Sequence, residues 1–163
     1  MSEKINVNFT LNGKPTTFSV APHTSLLRML RENYVYDVKC GCEEGDCGTC
    51  TVLIDGVSMK SCITLGAQVE GKCVVTVRGV TYNPEDELGH RLQENFVLCG
   101  SIQCGFCTPG MIMAGKEYLD NGGIADRDAI RRAISGNLCR CTGYKKIIDA
   151  IYKTAVEIGR EER

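Results

Sequence analysis

The chain has 163 residues, a formal net charge of −1 and eleven cysteines, with no tryptophan. That charge leaves no basic footprint for nucleic acid, and no run approaches the roughly 18 apolar residues of a membrane span. The cysteine count is odd and Met1–Thr10 has no apolar leader core, so metal binding in a reducing cytoplasm is expected rather than a secreted disulfide framework.

In chain order, Ile5, Val7, Phe9 and Leu11 alternate with polar residues, which is strand period. Asn12-Gly13 marks a hairpin turn, and Phe18 and Val20 continue the period in a second strand. Pro22 and Thr24 open a predicted helix with Leu26, Leu27 and Leu30 on one side. Residues 37–50 lack apolar period and read as a loop. Thr51–Ile54 reads as a strand, Asp55-Gly56 as a turn, and Val57–Ile63 as a returning strand that carries Cys62. Val74, Val75 and Val77 make a last strand. Hairpin, helix and further strands resemble the β-grasp arrangement.

The period then becomes helical. Leu88, Leu92 and Phe96 define one helix, and Thr108-Pro109 starts a second with a hydroxyl cap and an early proline. Asn121-Gly122-Gly123 stops that helix. Asp126 caps a third, presenting Ile130, Ala133 and Ile134. A fourth begins near Tyr144 and presents Ile147, Ile151, Ala155 and Ile158. The expected fold is α+β, with a sheet domain over residues 1–80 and a four-helix domain over 81–163. The border falls in the turn-rich stretch Gly79–Pro84. Each half has fewer than about 85 residues, a size at which a core alone is marginal and a bound cluster would help.

Eight cysteines form two sets. Cys42, Cys47, Cys50 and Cys62 read C-x4-C-x2-C-x11-C, the plant-type [2Fe–2S] spacing. Gly41, Gly45 and Gly48 interleave with them, which allows a loop to bring backbone N–H groups close to sulfur. A zinc site is the competing reading, but zinc sites usually pair two C-x2-C hooks and this set has one. Cys40 competes with Cys42 as first ligand; choosing it stretches the spacing to C-x6-C, so Cys42 is preferred. The second set is Cys104, Cys107, Cys139 and Cys141. Each of its pairs stands just before a predicted helix start, where partial positive charge and free N–H groups favour a thiolate-ligated centre. Cys73 and Cys99 read as small buried hydrophobes. His23 and His90 read as surface or capping residues, and Arg131-Arg132 and Lys145-Lys146 as solvated faces or subunit contacts. No Ser/His/Asp arrangement, dinucleotide fingerprint or phosphate loop is present.

The segments GCEEGDCGTC, SIQCGFCTPGMIM and GNLCRCTGY resemble those of the iron–sulfur subunits of the molybdenum hydroxylases, the xanthine dehydrogenase/aldehyde oxidase family. The resemblance covers nearly the whole chain. Cys40 and Thr49 depart mildly from the commonest pattern without disturbing a ligand. It implies an N-terminal β-grasp, plant-type [2Fe–2S] ferredoxin-like domain and a C-terminal four-helix [2Fe–2S]-binding domain. It also implies a large subunit with molybdopterin cytosine dinucleotide, a middle subunit with FAD, and a dimer of such heterotrimers. The helical-domain cluster then lies beside the pterin, with Gln103 and Cys141 touching it, and the ferredoxin-like cluster faces the flavin. The expected function is electron transfer within such a complex, with no substrate site on this chain. A xanthine or purine dehydrogenase is the first choice. Nicotinate, aldehyde, carbon monoxide and aromatic acyl-CoA enzymes are alternatives. A free two-cluster ferredoxin is a different class, and a net charge of −1 argues against it, since soluble shuttles are usually strongly acidic. A zinc-stabilised interaction module is another, which one measurement of visible absorption would exclude.

Overall fold

The computed structural model describes residues 3–161. Strands β1 (Ile5–Leu11) and β2 (Lys14–Val20) form an antiparallel hairpin. The turn works because Asn12 and Gly13 both take positive φ, 51° and 79°, which a tight two-residue turn needs. Helix α1 (Leu26–Glu32) follows, and its cap is Ser25, whose hydroxyl accepts from the Arg28 N–H. The helix thus starts later than Pro22 and Thr24 suggest. Strands β3 (Thr51–Ile54) and β4 (Val57–Lys60) form a second hairpin around Asp55-Gly56. Strand β5 (Cys73–Val75) lies between the hairpins, parallel to β1 and antiparallel to β3, giving the order β2-β1-β5-β3-β4. Val7, Phe9, Val52 and Val74 of the sheet pack on Leu26, Leu27, Met29 and Leu30 of α1. This is the expected mixed sheet with one helix over it.

Three local expectations change. Val77 does not extend β5; it opens a short helix α2 (Val77–Tyr82) across the presumed border. Asn12 Oδ1 accepts from the Thr76 N–H at 2.8 Å, which diverts the chain out of the sheet. Cys73 is exposed rather than buried, because its neighbour Val74 takes the inward position. Cys62 lies in a turn two residues past β4, not in a strand.

The second layer consists of α3 (Glu87–Leu98), α4 (Thr108–Asp120), α5 (Arg127–Ala133) and α6 (Lys145–Glu157). Leu92, Phe96, Met111, Leu119, Ile130, Ile134, Ile147 and Ile151 form its core. Ala133, expected inside, is exposed. Asp86 caps α3 and also receives Lys116 Nζ of α4 at 3.0 Å. Thr108 proves to be the first helical residue of α4, and its cap position is Cys107. A third cluster, Leu53, Val80 and Met113, joins sheet to helices. Glu117 of α4 also reaches the sheet, accepting the Ser58 N–H at 2.9 Å and the Ser58 hydroxyl.

Candidate metal centres

The first cysteine set is shaped by loop 37–50. Cys42 Sγ accepts N–H groups from Glu44 and Cys47, each at 3.4 Å. These donors hold its thiol down to about 6, the Cys47 amide contributing most. Gly41 is required by crowding: a Cβ there would meet Thr49 Cγ2 at 2.8 Å and Cys47 Sγ at 2.9 Å. The Ser61 hydroxyl donates to the Cys50 carbonyl at 2.8 Å and so fixes the backbone next to Cys62 against Cys50. Burial, then the bond with Cys50, pushes the Cys62 thiol up to about 12. Cys42 thus neighbours Cys47, Cys50 neighbours Cys62, and the charge on Cys42 adds to the upward push on Cys62.

The second set is assembled from two loops. Cys104 and Cys141 place their Sγ atoms 3.6 Å apart. Two sulfurs on one tetrahedral metal with bonds of about 2.3 Å stand about 3.8 Å apart, so this pair fits a shared iron. Cys107 and Cys139 form the other pair. Burial, then the bond with Cys139, pushes Cys107 up to about 12. Cys107 is the cap residue of α4, so burial outweighs the favourable field of that helix start. Partial burial also acts to raise Cys139, but the Thr142 hydroxyl donates to its Sγ at 3.1 Å, and with nearby amides this lowers its thiol. The Cys139 N–H donates to the Tyr144 hydroxyl at 2.9 Å, and Tyr144 holds a positive φ of 66° ahead of α6. Cys104, Cys141 and Gln103 are exposed; Cys107 and Cys139 are half-buried.

All eleven cysteines are free thiols. Among the described residues no group of three or more ligating side chains is arranged to hold a single ion. The thiols instead lie in twos, the arrangement a binuclear [2Fe–2S] cluster needs, with two cysteines per iron. The residues therefore fit two such clusters better than one four-thiol zinc site. Cys40 stands outside this arrangement; it donates to Glu43. Cys99 packs against the helical core, and His90 bonds the Thr81 carbonyl.

The two sets touch through their backbones. The Leu138 N–H, one residue before Cys139, donates to the Cys47 carbonyl at 2.9 Å. Asn137 Nδ2 donates to the Gly48 carbonyl at 2.8 Å, and the Thr49 hydroxyl donates to the Phe106 carbonyl at 3.0 Å. Sequence reasoning gave Ser61, Thr49, Asn137, Thr142 and Tyr144 no hydrogen-bonding role at the cysteines. Their signal was faint: each is a polar residue within five positions of a cysteine. Elsewhere, Arg131, Arg132, Lys145 and Lys146 are exposed, and Arg131 and Lys145 line a concavity of about 880 Å³ beside Ile134 and Ile148.

Two family models match, a 2Fe-2S iron-sulfur cluster binding domain over residues 9–72 and a [2Fe-2S] binding domain over 76–152. The nicotinate dehydrogenase small FeS subunit of Eubacterium barkeri is 43% identical, over 94% of this chain and 96% of its own. The xanthine dehydrogenase iron-sulfur-binding subunit of Escherichia coli O157:H7 is 42% identical, over 92% and 94%. Among solved structures, quinoline 2-oxidoreductase from Pseudomonas putida 86 superposes with a TM-score of 0.85 at 43% identity, over 98% of this chain and 99% of that one. Descriptions, coverage and fold converge on the reading that the cysteine segments suggest. The chain belongs to the iron–sulfur small subunits of the molybdenum hydroxylases, electron-transfer components of oxidoreductases that carry two [2Fe–2S] clusters.

Proposed function

We propose that this chain carries electrons from a molybdopterin cytosine dinucleotide centre in a large subunit to FAD in a middle subunit. When bound, each [2Fe–2S] cluster supplies a one-electron carrier. In this reading Cys104, Cys107, Cys139 and Cys141 hold the cluster that receives electrons, and Cys42, Cys47, Cys50 and Cys62 hold the one that delivers them. Cys104 and Cys141 share one iron and Cys107 and Cys139 the other. In the first set Cys42 pairs with Cys47, and Cys50 with Cys62.

The observation that carries this reading is the 2.9 Å bond from the Leu138 N–H to the Cys47 carbonyl. It gives the two ligand sets a continuous bonded path, with one residue on the Cys139 side and none on the Cys47 side. The exposures support the direction. Cys104, Cys141 and Gln103 face outward, suited to a pterin on the large subunit, while Cys107 and Cys139 sit on the inner side. The protein's contribution is to fix the thiols, exclude water from Cys50 and Cys107, and donate hydrogen bonds to sulfur.

The division at about residue 80 is part of the same proposal; α2 would then straddle the boundary. A reducing cytoplasm is the compartment in this reading, since cysteines that hold iron must stay out of disulfides. For substrate, we propose an electron-poor carbon of a nitrogen heterocycle, with xanthine first. Xanthine, nicotinate and nicotine stand in the names of relatives and quinoline in that of a solved structure. The assembly in this reading is a dimer of heterotrimers. The test is rapid mixing of the assembled complex with xanthine, nicotinate and an aldehyde in turn. The helical-domain cluster should be reduced before the ferredoxin-like one, and xanthine should reduce molybdenum fastest. Reduction in the opposite order would overturn the direction.

A further inference from the structure

Cys40 is the thiol left over beside the first ligand set, and it has a partner. Its Sγ donates to Glu43 Oε1 at 2.9 Å. Glu43 directly follows Cys42 and holds a positive φ of 60°. Its carboxylate is also gripped from outside the loop. Arg28 Nε reaches Oε2 and its terminal nitrogen reaches Oε1, each at 2.8 Å, a two-pronged geometry that fixes direction. Arg28 belongs to α1, which is rooted by four buried side chains. Arg31, on the same helix, holds the Val38 carbonyl at 2.9 Å. Segment 38–43 is thus tied to α1 at two points. Cys42, two residues from Cys40, makes none of these bonds; it accepts amides of its own loop.

We propose that the Arg28–Glu43 pair is a ligand-selection device: it anchors Cys40 to α1 and leaves Cys42 as the first ligand of the ferredoxin-like cluster. Arg28 and Glu43 are positioning residues that act through Cys40. The inference rests on the ligand set proposed above. The side chains of Arg28 and Glu43 are 58% and 36% exposed, so their attraction contributes little stability by itself. What matters is geometry: bringing Cys40 onto iron requires leaving Glu43, which Arg28 holds in place. In such an exchange the iron–sulfur bond lost from position 42 is replaced by one from Cys40 Sγ. The Cys40 proton would pass to the released Cys42 thiolate, or to solvent where position 42 carries no sulfur, and no electron changes hands.

The test uses the chain purified with its partner subunits, read by iron content and by the paramagnetic signal of each reduced cluster. Cys42→Ala should lose the ferredoxin-like signal, and iron should fall from about four to about two per chain. Adding Glu43→Asn should restore both, since Asn tolerates the left-handed backbone but is too short to hold Cys40. Adding Arg28→Ala instead should restore them without touching the loop. Adding Cys40→Ala to either double variant should remove them again. The proposal fails if neither double variant restores the signal while the single Glu43→Asn and Arg28→Ala chains keep both clusters. It also fails if those single chains lose the cluster, which would make the pair a plain support of the loop. Retention in Cys42→Ala and in Cys40→Ala alike would mean that nothing is selected. A wrong ligand assignment looks different: Cys40→Ala alone would lose the cluster and Cys42→Ala would keep it.

Discussion

Cys42, Cys47 and Cys50 fall within nine residues of one loop, whereas Cys104 and Cys139 are 35 positions apart and meet through the packing of the helices. The first centre is therefore local: turns, glycines and nearby amides shape it, and only Cys62 comes from farther away. The second is tertiary, for Cys107 and Cys139 pack against the same core as Leu92, Met111 and Ile147. The difference teaches that one chain can place two similar centres by unlike means, with unlike consequences when each is damaged.

The largest expected effects compare the two directly. Cys47→Ala should abolish the ferredoxin-like signal and slow flavin reduction by more than about 100-fold, while substrate still reduces molybdenum. Cys139→Ala should remove the other signal and also lower the unfolding temperature further, because its loss disturbs a shared core. Metal analysis, rapid mixing and calorimetry on the complex check both; equal destabilisation would break the comparison.

Gly48→Ala probes the seam between the centres. At φ 66° an added Cβ would meet the Gly136 carbonyl oxygen at 2.3 Å and Asn137 Cγ at 2.8 Å. Backbone strain and overpacking together should cost about 2–5 kcal/mol. Gly122→Ala has a similar backbone, φ 84°, but open space, and should cost only about 1–2 kcal/mol. Denaturant unfolding of the two variants sharpens how far the halves depend on each other.

Gln103→Ala should leave both clusters assembled, because an amide is not a ligand. If the amide locates the pterin, its loss costs roughly 1–3 kcal/mol, seen as slower transfer from molybdenum or lower molybdenum occupancy. Slowing of flavin reduction alone would reverse which centre faces which partner. The smallest effect is expected for Cys73→Ser, on an exposed strand position: both clusters kept and stability within about 0.5 kcal/mol.

Much of this was legible in the residues. Asn12-Gly13 and Asp55-Gly56 announce their hairpins because both positions of each turn need positive φ. Asp126 announces α5 because its side chain meets the first helical amides. The cysteine spacings announce two ligand sets but not the pairs within them, for Cys104 meets Cys141 and Cys107 meets Cys139 across the C-x2-C and C-x-C units. What stayed hidden depends on distant partners. Val77 continues an apolar run, and the groups that hold the chain where it leaves the sheet are distant: Asn12 accepts the Thr76 N–H and Asp37 the Arg78 N–H. Cys73 reads as buried beside two valines, yet a three-residue strand does not reveal which face is inward. The Leu138–Cys47 bond has no local signature, since it joins backbone groups of two loops.

Glu117 carries a consequence for how the molecule avoids its own kind. Strands β2 and β4 are the sheet's outer edges, and an open edge is a template for another chain. On β4 the risk is real, because Val57 and Met59 are exposed. Glu117 occupies the outward Ser58 amide with a carboxylate from α4. A strand arriving from a neighbour would find that amide already taken. Pairing through β4 therefore has to begin by displacing Glu117 from Ser58.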